Sequence, residues 1–90
     1  MTVLIRAIAF ANGAVCPHAG QYLKTADFEA HDGRGFMTFT ADPNTAMEFV
    51  DAAAALKLYH TRSRIRPTRP DGRPNRPLTA LTIEIEKAPA

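Results

Sequence analysis

Six arginines crowd one short segment of the chain, and their spacing suits the binding of anions. Residues 62–77 read RSRIRPTRPDGRPNRP, in which the unit Arg-Pro-x-Arg-Pro occurs twice around Asp71-Gly72. A guanidinium group forms paired hydrogen bonds with phosphate or carboxylate oxygens. We therefore predict an anion-binding segment at residues 62–77, named the Arg/Pro loop. Its binding residues are Arg62, Arg64, Arg66, Arg69, Arg73 and Arg76.

The charge distribution along the chain points to the same segment. The 90-residue chain has a formal net charge of only +2. Residues 57–76 hold seven cations and one anion, which makes +6 and leaves −4 for the rest. Such asymmetry bears on partners rather than on fold. Nucleic acid is the first candidate partner and an acidic protein surface the second, although no aromatic residue in the loop offers base stacking.

The prolines predict a stiff loop. Pro70-Asp71-Gly72 is typical of a tight turn, and the other prolines lack the N–H groups that a strand interior needs. Each arm should prefer polyproline II, which has three residues per turn and so aligns arginines three positions apart. The alternative is a solvated connection whose arginines pair with acidic residues elsewhere. The candidate acidic partners are Asp51, Glu84 and Glu86.

Other residue types that carry chemistry are present but poorly spaced for it. Cys16 and His18, with the scattered residues His31, Asp32 and His60, include every residue type of a metal site, yet no second pair has zinc-ligand spacing. No family signature surrounds Cys16 as a nucleophile. We expect no metal, no cofactor and no catalytic residue. A small enzyme using Cys16 is the minor alternative.

The glycine-rich run at residues 32–35, Asp-Gly-Arg-Gly, also permits two interpretations. Backbone N–H groups in such a run can cradle an anion. Phosphate loops of known type lead into a helix, whereas a strand pattern follows here. A hairpin turn is therefore the better explanation.

Alternating apolar residues predict the elements that must position these groups. Strands are expected at residues 2–10, 21–25, 36–40 and 78–86, the middle two forming an antiparallel hairpin.

Asp42-Pro43 begins a helical pattern that reaches about His60, while Asp51 offers a second N-cap, so one helix and two shorter helices fit equally well. The order β-β-β-α-β predicts one α+β domain over residues 1–90. We expect a two-layer sandwich, an antiparallel or mixed four-stranded sheet with a continuous or broken helix on one face.

Location and assembly follow from simpler features. Cys16 is the only cysteine, so no intrachain disulfide forms, which favours a cytoplasmic protein. The apolar run at residues 3–10 is interrupted by Arg6, and no stretch approaches the 18 to 20 apolar residues of a membrane span, so we expect neither a signal peptide nor a membrane partner. The alternative to anion binding is a protein-interaction module or a homodimer in which the Arg/Pro loop is structural. Either would bury apolar surface on the two-sided N-terminal strand or at an open sheet edge.

The second half of the chain resembles a group of known proteins. Thr40-x-Asp42, with Ala46 and Phe49, precedes the run RPDGRPNRPLTA at residues 69–80. These features resemble small uncharacterised bacterial proteins, some of them prophage-associated. The resemblance implies no activity and no functional residue. It favours a small accessory or host-interaction protein over a metabolic enzyme.

Overall fold

Four antiparallel strands and one main helix form the α+β architecture that the sequence predicts. The computed structural model describes residues 2–89. The elements are β1 (Val3–Phe10), β2 (Tyr22–Asp27), α1 (Ala30–Gly33), β3 (Phe36–Thr40), α2 (Ala52–Tyr59) and β4 (Leu81–Lys87). Single 3-10 turns lie at Pro43–Thr45 and Pro77–Ala80. The strands are ordered β3-β2-β1-β4 in the sheet, and the α+β fold class is confirmed. The strands and the main helix α2 follow the predicted order β-β-β-α-β, with the short α1 added between β2 and β3.

Strand β1 lies inside the sheet, as its apolar residues on both faces suggest. Its antiparallel ladder with β4 runs from Val3, opposite Lys87, to Phe10, opposite Leu81. A bulge between Ala7 and Ala9 shifts the register once. Strands β2 and β3 form the expected antiparallel hairpin.

Residues 47–49, named the wedge segment, separate β1 from β2 over part of their length. The two strands share a single register pair, Arg6 with Tyr22. Beyond it, Phe49 and Val3 exchange two backbone hydrogen bonds of 2.9 Å, and the Met47 amide donates to the Leu23 carbonyl at 3.0 Å. The two ladders of the sheet are therefore joined by this register pair, by the hydrogen bonds of Ala7 with Gly20 and Gln21, and by the wedge segment.

The wedge segment explains why only the second half of the predicted helix forms. Asp42 caps no more than the 3-10 turn, where its Oδ1 accepts from the Asn44 amide at 2.9 Å. The chain then becomes extended until Asp51, whose Oδ1 accepts from the Ala54 amide at 2.8 Å and begins α2. Backbone pairing with β1 and β2 satisfies groups that a helix would have bonded internally, so the continuous helix from Asp42 is wrong and the cap at Asp51 is correct.

The core lies between the sheet and α2, and its buried members come from β1, β2, the wedge segment, α2 and the turn before β4. Its fully packed members are Ile5, Leu23, Phe49, Ala55 and Leu78. The Tyr59 hydroxyl donates to the Leu81 carbonyl at 2.6 Å and so ties the end of α2 to the start of β4. Pro77 opens a 3-10 turn, so β4 begins three residues later than predicted, with Leu78 buried beneath it.

Candidate anion-binding site

The Arg/Pro loop folds back on itself as a tight hairpin. The Gly72 amide donates to the Arg69 carbonyl at 2.9 Å, and the Arg69 amide donates to the Arg73 carbonyl at 2.7 Å. Pro70, Asp71 and Gly72 form the three-residue turn, with Gly72 at φ +84°. A three-residue hairpin turn of this kind requires a left-handed residue in its last position, which glycine supplies.

The hairpin can contain prolines because the pairing of its two arms places Pro74 opposite a residue with which it exchanges no backbone hydrogen bond. Thr68 and Pro74 face each other as an antiparallel bridge. The hydrogen bonds fall on either side of them, and one runs from the Asn75 amide to the Pro67 carbonyl at 3.0 Å. Pro74 thus occupies a position where the ladder needs no N–H donor. The two arms are paired with each other rather than standing as independent polyproline arms.

The loop is docked on the turn α1, which connects β2 to β3. The Asn75 Nδ2 donates to the Gly33 carbonyl at 2.6 Å, and the Arg66 guanidinium binds the Asp32 carboxylate. Gly33 lies so close to Arg66 that a Cβ on Gly33 would be 2.7 Å from the Arg66 Cγ. A Cβ on Gly35 would likewise be 2.7 Å from the Pro77 Cβ. Only glycine permits this contact between the two segments.

Glu29 anchors the first residues of the loop. Its carboxylate accepts hydrogen bonds from the Ser63 hydroxyl at 2.5 Å, the Arg64 amide at 2.8 Å and the Ile65 amide at 3.3 Å. Ser63 is buried, with 1% of its surface exposed. These bonds, the Ser63 hydroxyl first, hold the pKa of Glu29 below its usual value.

The turn α1 has an unusual backbone that places Asp32 against the loop. His31 and Asp32 both lie in the left-handed region, at φ 53° and 60°. Non-glycine residues adopt this conformation rarely, and aspartate tolerates it better than most. The Arg66 guanidinium lowers the pKa of Asp32, and Arg34 adds to the effect.

Acid is expected to destabilise this docked arrangement. A carboxylate whose pKa is lowered by folding stabilises the protein above its ordinary pKa, and that contribution is lost as the pH falls through the folded value. For Glu29 this loss of stability begins as the pH falls below 4.5, the ordinary pKa of a glutamate side chain. Urea unfolding should show that Glu29→Gln is less stable than the parent near neutral pH and loses less stability on acidification. The control is Glu48→Gln, which replaces an exposed carboxylate. If both variants lost the same amount of stability near neutral pH, Glu29 would not be anchoring the Arg/Pro loop.

A cleft of about 460 Å³ opens between the turn α1 and the Arg/Pro loop. Its charged lining residues are Arg34, Arg66, Arg69 and Asp32. Three cations against one anion give this cleft a net charge of +2. The other residues that line it are Gly33, Thr68, Pro70 and Asn75.

Three of the six predicted arginines are engaged within the protein. Arg62 donates to the Pro67 carbonyl from Nε at 3.2 Å and from Nη2 at 3.0 Å. The Arg64 Nε lies 3.6 Å from Glu29, but its side chain is 91% exposed and so is weakly held. Arg66 is paired with Asp32.

The other three predicted arginines meet no carboxylate within residues 2–89. Arg69 lines the cleft, and Arg73 lies exposed directly across the hairpin from it. Arg76 is half-buried, and its Nε has no hydrogen-bond partner in the described residues. The structure thus brings Arg66 and Arg69 together at the cleft and leaves Arg73 beside it.

The acidic partners of the loop differ from those that the sequence suggested. Asp51 caps α2, and Glu86 accepts from the Arg6 Nη1 at 2.9 Å on the sheet. Glu29 and Asp32 pair with the loop instead. Sequence reasoning also left Arg34, Gly33 and Asn75 out of the site. The glycine-rich run at residues 32–35 was the available signal, since it forms both the turn and one wall of the cleft.

The remaining candidate residues are not gathered into a second site. Cys16 is buried, and the imidazole of His18 stacks on Phe39 with ring centroids 4.5 Å apart. Within residues 2–89, no three histidine, cysteine or acidic side chains are grouped to hold a metal ion. Neither helix in that range has the length and apolar character needed to cross a membrane.

Comparison with known proteins adds no relative to these observations. No family model, curated protein or solved structure matches the chain. The cleft and the Arg/Pro loop are therefore the features from which a function can be argued.

Proposed function

We propose that this protein is a non-enzymatic binding module of the cytoplasm that recognises nucleic acid through the Arg/Pro loop. The observation that carries the proposal is the state of Arg69 and Arg73. They face each other at the tip of the hairpin and have no carboxylate partner in residues 2–89. Their backbone is held in place by the hydrogen bonds of the hairpin. Cationic groups presented in this way suit a polyanion.

The fixed backbone is what distinguishes this loop from an ordinary charged surface. Hydrogen bonds join the loop across its own turn, to Glu29 and to Gly33. A loop that is already ordered loses little conformational entropy when it binds. The affinity of each guanidinium for phosphate is then retained rather than offset by the cost of ordering the chain.

The state of each arginine predicts the salt dependence of binding. In the unbound protein Arg62 donates to a backbone carbonyl and Arg66 is paired with Asp32, whereas Glu29 holds Arg64 only weakly. Four groups are therefore counted for the phosphates of a duplex: Arg64, Arg69, Arg73 and Arg76. Neutralising about four phosphates of duplex DNA gives a slope near −3.6 for log affinity against log salt concentration.

The double variant Arg69→Gln/Arg73→Gln tests this directly. We expect fluorescence anisotropy with a labelled duplex, at about 50 to 200 mM salt, to show weaker binding and a slope smaller in magnitude by about 2. Glutamine keeps the side chains polar, and both replaced groups lie outside the core, so the fold should persist. Circular dichroism and thermal unfolding would verify that.

The control is Lys24→Gln/Lys87→Gln, which removes the same charge from two exposed lysines distant from the loop in sequence. Its slope should equal that of the parent protein. Binding that does not change with salt, or an equal loss in both double variants, would overturn the nucleic-acid proposal.

A homodimer is the second candidate, and the sheet edges favour it. Strands β3 and β4 lie at the two ends of the strand order, and Phe36 on β3 is 53% exposed. Unpaired edges offer backbone groups to a second copy of the chain. Light scattering over a range of protein concentrations tests this, because a concentration-independent monomer contradicts it.

A further inference from the structure

We infer that the cleft is a binding site for a single phosphate group, and that the Asp32 carboxylate stands in the position of that ligand. This inference deepens the proposed function, because it names the chemical group that the loop recognises. It also assigns a role to Asp32, which then acts as an internal competitor.

The arrangement of charges in the cleft carries the inference. Three arginines line it, Arg34, Arg66 and Arg69, and Asp32 is the only acidic residue among the lining residues. Asp32 binds Arg66 directly, and Arg34 is close enough to lower its pKa as well. A tethered anion thus occupies a pocket whose other charges all favour an anion.

The contact between Asp32 and Arg66 is suited to exchange. The two side chains are 69% and 60% exposed. Ion pairs this exposed contribute little to stability, so a ligand can replace the carboxylate without unfolding the turn. The Asn75–Gly33 and Glu29–Ser63 bonds do not involve the Asp32 carboxylate and would hold the cleft in place.

The charge of the competitor selects the class of phosphate. A phosphodiester carries one negative charge, the same as the carboxylate that it would displace. A phosphate monoester carries about 1.5 to 2 negative charges at neutral pH. The cleft should therefore favour inorganic phosphate or the terminal phosphate of a nucleic acid over an internal phosphodiester.

The test follows inorganic phosphate by NMR, using the backbone amides of Gly33, Arg34 and Arg69. Phosphate is expected to shift these amides in a saturable manner. Asp32→Asn should bind phosphate about 10- to 30-fold more tightly, which is what Coulomb's law gives in water for removing one charge about 4 Å from a ligand that carries about 1.5 to 2 negative charges. Asparagine also tolerates the left-handed backbone at this position.

Two further variants make the result decisive. Arg66→Gln keeps the Cβ and Cγ atoms that pack on Gly33, and it should weaken phosphate binding and reduce the gain from Asp32→Asn. Glu48→Gln removes one exposed negative charge elsewhere and should change phosphate affinity little. Unshifted cleft amides, or an equal gain from Glu48→Gln, would overturn the inference.

Labelled oligonucleotides separate this inference from the proposed function. A strand with a 5′-phosphate should bind more tightly than the same strand with a 5′-hydroxyl, and Asp32→Asn should widen the difference. If phosphate shifts the cleft amides but neither strand binds, the nucleic-acid proposal fails and the phosphate site stands. If both strands bind equally and phosphate leaves the cleft unchanged, the phosphate site fails and the proposed function stands.

Discussion

Phe49→Ala is expected to lower the free energy of unfolding by about 3 to 5 kcal/mol, the usual cost of removing a buried phenylalanine ring. The side chain is 9% exposed and belongs to the core between the sheet and α2. Its backbone also holds the wedge segment against β1 through Val3. Because domains of this size are only marginally stable, urea denaturation should show a large shift of the midpoint.

The neighbouring residue provides a matched control for this prediction. Val50, directly after the wedge segment, is 71% exposed. Val50→Ala should change the free energy of unfolding by no more than about 0.5 kcal/mol. A helix through this region would place Phe49 and Val50 on one apolar stripe. Similar losses for the two variants would therefore argue for the helix and against the wedge segment.

Gly33→Ala should cost about 2 kcal/mol or more of stability, since it combines backbone strain with a steric clash. Gly33 has φ +86°, and an added Cβ would meet the side chain of Arg66 and lie 3.0 Å from the Ser63 Oγ. Either the turn α1 or the Arg/Pro loop must then move. We expect faster hydrogen exchange at the Ser63 and Asn75 amides in addition to the lower urea midpoint.

Gly13→Ala separates strain from clash. Gly13 has nearly the same backbone angle, φ +85°, but nothing lies within 4 Å of the position that its Cβ would take. This variant should lose only about 1 kcal/mol, the cost of the left-handed conformation alone. Equal losses at the two glycines would mean that the loop is not packed on the turn as described.

The strands could be predicted because their apolar residues alternate locally. Strand β3 begins and ends where the pattern places it, and β1 lies inside the sheet as its two apolar faces require. The wedge segment could not be predicted in this way. Met47 and Phe49 suit a helical stripe as well as an extended segment, and the choice depends on backbone partners in β1 and β2 that are distant in sequence.

The candidate site was predictable in part for the same reason. Residue type and spacing alone identified the Arg/Pro loop and the turn at Pro70-Asp71-Gly72. The partners of the loop, Glu29 and Asp32, lie more than thirty residues earlier in the chain. A local sequence pattern cannot predict a contact between residues that far apart in the chain. The role of Arg34 was hidden for the same reason, since its cleft exists only once the loop has docked.

The pairing of β1 with β4 bears on how the protein is made. Arg6 and Glu86, which meet across this ladder, are 80 positions apart in the chain. During synthesis on the ribosome, β1, the most apolar strand, therefore cannot pair with β4 until residues 81–87 have been made. Such distant pairings make a chain fold more slowly than one whose contacts are local. Until then the nascent β1 exposes apolar side chains and an unpaired edge, the features that make an incomplete chain prone to aggregation.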